Sequence, residues 1–139
     1  MLRGRFYLGG PMSSTTLETI DDYLIDGRVL LQDTIAPYRY DDTSLITAMN
    51  VTLLEGRRLR PDLFVYCSRN GRVQHLTAKD GTVIQIEEQF RLAFLHGMIA
   101  HALERDQEDV QDERASTFMG IFNGILLGRG AVPAAKAGA

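Results

Sequence analysis

The chain has 139 residues, of which 45% are hydrophobic and 24% charged, and its formal net charge is −3. This length and composition are typical of one globular domain with its own hydrophobic core, and they exclude collagen-like and low-complexity chains. The single cysteine, Cys67, excludes an intramolecular disulfide. No apolar run is long enough to span a membrane, and the N-terminus lacks the apolar core of a signal peptide. The predicted localisation is therefore cytoplasmic.

The first predicted helix covers about residues 14–26. The motif Thr15-x-x-Glu18 is typical of a capping box at its start, and Gly27 is typical of a helix C-terminus. Residues 28–34 are ambiguous and could form a strand.

The second predicted helix covers about residues 43–55. Asp41 or Asp42 is the expected N-cap, because a carboxylate there can accept a hydrogen bond from a free backbone N–H of the first turn. Gly56 is the expected end of the helix.

The centre of the chain predicts a β-sheet. Asn70-Gly71 and Asp80-Gly81 are typical two-residue hairpin turns, and they divide residues 63–86 into three short segments. We therefore expect a three-stranded antiparallel meander. Both faces of this sheet would carry apolar side chains, so helices or a second subunit should cover both sides.

Two more helices are predicted after the sheet. In the first, at about residues 87–105, apolar residues cover an arc of roughly 220°, which is typical of a central helix. The second, at about residues 113–127, precedes a tail at residues 129–139 that has no pattern for burial and is expected to be disordered. The predicted fold class is α+β, with the meander and about four helices in a single compact domain at residues 1–128.

Glycine recurs every fourth residue at the end of the chain, at Gly120, Gly124 and Gly128. A glycine inside a helix costs about 1 kcal/mol relative to alanine, and a closely packed neighbour is the simplest compensation. A helical projection separates these glycines from the bulky face, so a second neighbour is expected at Gly120 and Gly124. It is a helix of the same chain or of a second copy, whereas a membrane-contacting face is less favoured because the apolar run is short. Gly128 also fits a C-terminal cap.

A basic region lies at residues 57–72. In the predicted sheet, two of its arginines face each other at a hairpin tip, which is unfavourable unless solvent or an anion relieves the repulsion. The region is therefore the candidate contact for an anion or a nucleic acid, with a solvated hairpin tip as the alternative. Its arginines are Arg57, Arg58, Arg60, Arg69 and Arg72.

Signatures of catalysis and cofactor binding are scarce. Tyr66 and His75 pair across the predicted strands and form the candidate edge of a ligand pocket, although a packed aromatic pair explains them equally well. His101 and Glu104 share a helix face, but His96 points away, so no metal site is predicted. The glycine-rich loops that bind nucleotides are missing from the sequence, and no cofactor is predicted.

These observations favour a small, non-enzymatic bacterial interaction or accessory protein. Self-association is expected, with a homodimer favoured, and its protein partner is unknown. One alternative is a nucleic-acid-binding regulator that uses the basic region. Another is an enzyme or small-ligand binder built around Tyr66 and His75.

Overall fold

A computed structural model of the chain describes residues 15–64, 73–106 and 109–128. These residues form four α-helices: α1 (Ile20–Leu31), α2 (Asp42–Leu59), α3 (Arg91–Glu104) and α4 (Asp109–Leu127). Short 3-10 helices lie at Pro61–Phe64 and Glu88–Phe90. The described part of the chain is therefore all-α.

The predicted α+β fold and its three-stranded meander are wrong. No strand is formed in the described stretches, where one isolated antiparallel bridge joins Thr19 to Val83. Residues 61–64, at the start of the predicted first strand, form a 3-10 turn instead. The rest of that strand and the Asn70-Gly71 turn lie outside the described residues.

In the central segment, side-chain amides make hydrogen bonds to backbone groups that neighbouring strands would otherwise have paired. The Asn50 amide donates to the Leu76 carbonyl and accepts from the Leu76 N–H, both at 2.8 Å. The Gln74 amide donates to the Val83 carbonyl and accepts from the Gln85 N–H, again at 2.8 Å. Three apolar residues of this segment, Leu76, Ile84 and Ile86, are buried in the helical core, whereas Val83 is 54% exposed. The alternation of apolar and polar residues in this segment therefore reflects an extended stretch that packs on the helices.

The capping box of α1 lies four residues later than predicted. The Thr19 hydroxyl accepts from the Asp22 N–H, and the Asp22 carboxylate accepts from the Thr19 N–H, each at 3.2 Å. Gly27 does not end the helix, because it lies where α1 crosses α3. A Cβ atom built there would be 2.6 Å from the Met98 methyl group. The ambiguous residues after it continue the helix as far as Leu31.

The predicted start of α2 is confirmed, but the helix is longer than predicted. The Asp41 carboxylate accepts from the Ser44 N–H at 2.7 Å, as an N-cap does. Gly56 lies inside the helix, where a built Cβ atom would be 2.6 Å from the Phe94 ring. In both α1 and α2, the glycine predicted as a terminator is instead a point of close helix packing.

The central position of α3 is confirmed, since it contacts each of the other three helices and nine of its residues are buried. The Phe94 ring packs edge-on against Phe64 and Phe122, with ring centroids 6.0 and 5.6 Å away. These three rings connect α3 with the 3-10 turn after α2 and with α4.

Helix α4 begins earlier than predicted, within the acidic stretch, and packs mainly on α3. Its buried residues are Ala115, Phe122 and Leu126. Gly128 follows the helix with φ at 74°, a left-handed conformation that favours glycine and confirms its role as a cap. Among the described residues, no helix is both long and apolar enough to cross a membrane.

Candidate functional site

The loop between α1 and α2, residues 33–40, presents an apolar tip to solvent. Ile35 is 82% exposed, the highest value for a large apolar side chain in the described chain. Ala36, Pro37 and Tyr38 are exposed as well, and the Ala36–Pro37 peptide bond is cis. Burial of an isoleucine side chain stabilises a fold by about 2 kcal/mol. Because Ile35 is exposed, the isolated chain lacks most of this stabilisation at that position.

The Asp33 carboxylate joins the first residue of this loop to the last two. It accepts hydrogen bonds from the backbone N–H groups of Arg39 and Tyr40, each at 2.9 Å. Asp33 itself is buried. Because both bonds go to backbone six and seven residues further on, they close the loop through its main chain.

The buried guanidinium of Arg28, near the end of α1, holds the loop in place through hydrogen bonds. Arg28 donates to the Asp33 carboxylate at 3.1 Å, to the Tyr40 carbonyl at 2.6 Å and to the Asp42 carboxylate at 2.6 Å. The Tyr38 ring lies over the same guanidinium, 3.8 Å from its carbon to the ring centroid. A buried arginine is tolerated when it is paired and hydrogen-bonded. Arg28 therefore joins α1, the loop and α2.

Asp106, which lies just after α3, holds the two residues at the end of the loop in place. The Asp106 carboxylate accepts from Arg39 Nε and Nη2 at 2.8 and 3.0 Å, and from the Tyr40 hydroxyl at 2.6 Å. Burial, together with the hydrogen bond to Asp106, raises the pKa of Tyr40 to about 12. The hydroxyl is therefore a protonated donor at neutral pH.

A polar cleft of about 300 Å³ lies beside the loop, between the start of α2 and the end of α3. Its described lining residues include no histidine or cysteine, and three donors from Arg39 and Tyr40 already occupy the Asp106 carboxylate. These hydrogen bonds hold the loop in place. The cleft is lined by Arg39, Tyr40, Ser44, Ala102, Arg105 and Asp106.

Two of the three described arginines of the predicted basic region are paired with carboxylates. Arg58 pairs with Glu55 on the same helix. Arg60 pairs with Asp62 at 2.8 Å and donates to the Leu126 carbonyl at the end of α4 at 2.6 Å. Arg57 is half-buried. The other two members, Arg69 and Arg72, lie outside the described residues.

The predicted pocket edge of Tyr66 and His75 stays a prediction. His75 is exposed, whereas Tyr66 lies outside the described residues, as does Cys67. The two helical histidines bond to their own helix: His96 Nδ1 lies 2.7 Å from the Leu92 carbonyl, and His101 Nδ1 lies 2.9 Å from the Gly97 carbonyl. No group of three or more potential ligands in the described chain could hold a metal ion.

Of the two glycines predicted as a helix contact, Gly120 lies on open surface in this chain. Gly120 is exposed, and a built Cβ atom there would have no heavy-atom neighbour within 4 Å apart from its own helix backbone. Gly124 is half-buried. A close contact at Gly120 would therefore have to come from outside the described residues, and a contact between two copies stays a prediction.

Sequence reasoning missed the 33–40 loop as a site. Exposure of Ile35 is a property of the folded chain and leaves no mark in a sequence pattern. The available signal was an aspartate ahead of an apolar loop, since aspartate often accepts hydrogen bonds from nearby backbone N–H groups.

The chain matches no protein-family model, and no curated protein or solved structure is significantly similar to it. Its function is therefore inferred from the geometry of its own surfaces.

Proposed function

We propose that the chain is a non-enzymatic interaction protein and that the tip of the 33–40 loop (Ile35, Pro37 and Tyr38) is its contact surface. The observation that supports this proposal is the 82% exposure of Ile35 on a loop held by buried polar groups. A contact loop that is already rigid loses little conformational entropy on binding. Tyrosine and arginine, present here as Tyr38 and Arg39, are also enriched among the residues that dominate binding energy.

The partner that fits this tip is a protein with an apolar pocket and a polar rim of mixed charge. Asp41 and the ion pair of Arg39 with Asp106 flank the tip, so the rim carries charges of both signs. A nucleic acid is a poorer fit, because Arg39 is paired with Asp106 and Arg28 is buried. Phosphate binding depends on accessible cationic groups.

Site-specific photocrosslinking in the cells that produce the chain tests this proposal. A photoreactive phenylalanine analogue at position 35 should give a discrete adduct with another protein. The same analogue at Ile25, an apolar residue 44% exposed on α1, should give none. Equal adducts from both positions would contradict the proposal, and an adduct of twice the chain mass would identify the partner as a second copy.

Competition provides the control for specificity. Excess wild-type protein should abolish the adduct, whereas the same amount of the Ile35→Asp variant should leave it unchanged. This exposed substitution should change the free energy of unfolding by less than about 0.5 kcal/mol, so the variant stays folded. Equal competition by both proteins would exclude Ile35 as the contact.

A further inference from the structure

The extended stretch at residues 82–86 has an inner edge that is paired by backbone groups. The Ile20 N–H donates to the Thr82 carbonyl at 2.9 Å. The Ile84 N–H donates to the Glu18 carbonyl at the same distance. These two bonds hold the stretch beside the residues that lead into α1. Because successive backbone groups of an extended chain point to opposite edges, the next groups along the stretch lie on an outer edge.

The outer edge is paired by a side chain instead. The Gln74 amide donates to the Val83 carbonyl and accepts from the Gln85 N–H, both at 2.8 Å. A side-chain amide carries the same donor and acceptor as a backbone peptide group. Gln74 therefore takes the place of one peptide group of a neighbouring strand. Both bonds are exposed to solvent, so a competing strand can reach them from outside.

The sequence of this stretch favours pairing between chains wherever its edge is uncovered. Thr82-Val-Ile-Gln-Ile86 has four β-branched residues among five, with no charge and no proline. Short segments of this composition are prone to pair edge to edge. Natural edge strands are often protected by a lysine or a proline, and this segment has neither. The exposed Val83 side chain lies beside the outer edge and adds an apolar contact for a second strand.

We infer that the Gln74 side chain blocks the outer edge and thereby prevents two copies of the chain from pairing through residues 82–86. A second copy that adds its own strand to this edge has to displace both Gln74 bonds first. Removal of two competing hydrogen bonds should therefore favour edge-to-edge association by about tenfold or more. This edge is separate from the 33–40 loop, so either proposal can fail without the other.

Substitution of Gln74 in the purified protein tests this role. Gln74→Ala removes both bonds, and the milder Gln74→Asn keeps an amide that is one methylene too short to make both. Both variants should associate more than the wild type in analytical ultracentrifugation, and infrared spectroscopy should show added intermolecular β-sheet. The matched control is Gln89→Ala, which should behave as the wild type because Gln89 donates to the Glu87 side chain.

A second substitution separates edge pairing from unfolding. Val83→Lys places a charge beside the outer edge, where lysine discourages strand pairing. Added to either Gln74 variant, it should return association to the wild-type level, with an unchanged helix signal in circular dichroism. Association of both Gln74 variants no greater than that of Gln89→Ala would overturn the proposal. Association that Val83→Lys leaves unchanged would overturn it as well, because unfolded chains and not paired edges would then be the cause.

Discussion

Gly97 in α3 and Gly120 in α4 are both helical glycines, but their surroundings are opposite. A Cβ atom built at Gly97 would lie 2.6 Å from the Thr52 methyl group and 2.8 Å from the Phe122 ring, so this glycine lets α2 and α4 approach α3 from two sides. At Gly120 the same atom would meet no neighbour within 4 Å. Regular glycine spacing therefore does not identify the position where helices pack most closely. Burial of the glycine in the folded chain identifies that position.

The largest expected effect is at Gly97. Replacement by valine would place branched methyl groups inside a packed core, and overpacking of this kind costs about 3 kcal/mol at its upper end. Urea unfolding should show that loss, with an unchanged dependence on denaturant. A stability within about 0.5 kcal/mol of the wild type would contradict the two-sided contact.

A smaller loss is expected for Gly56→Ala. The added methyl group would press on the Phe94 ring, which is fully buried between Phe64 and Phe122 and has little room to move. Part of this cost is offset by the better helix propensity of alanine, which leaves a net loss of about 1 kcal/mol. Thermal unfolding measures the change, and an increased melting temperature would show that the ring can shift freely.

The smallest effect, and the only gain, is expected for Gly120→Ala. With open space around this position, the substitution should stabilise the chain by about 0.5–1 kcal/mol through helix propensity alone. Unfolding should be measured at a low and a high protein concentration. A loss that appears only at high concentration would instead indicate that a second copy packs closely on Gly120, as the glycine spacing predicts.

The sequence was sufficient to predict four helices, but not all of their ends or what lies between them. The central position of α3 and the Asp41 cap depend on local periodicity and on one side-chain hydrogen bond, both of which a sequence records. The meander was wrong because its evidence was equally local. Asn50 and Gln74 bind backbone groups that strands would otherwise have paired, and these contacts are set by tertiary structure.

The candidate site was harder to predict for the same reason. Arg28, Asp33 and Asp106 come together from three parts of the chain, and nothing in their local sequence indicates that they meet at one loop. Arg60 is another example. This candidate contact for an anion or a nucleic acid pairs with Asp62 and donates to the last turn of α4, and its local sequence does not indicate the second of these contacts.

The bonds from Asp106 to Arg39 and Tyr40 also have a consequence for biosynthesis. They connect residues 66 and 67 positions apart, so these two side chains acquire their final positions only after the ribosome has made the whole of α3. A shorter nascent chain can close the loop backbone through Asp33, but it lacks the hydrogen bonds that fix Arg39 beside the tip. A nascent chain that ends before Asp106 therefore lacks these hydrogen bonds, and a chain that includes Asp106 can form them.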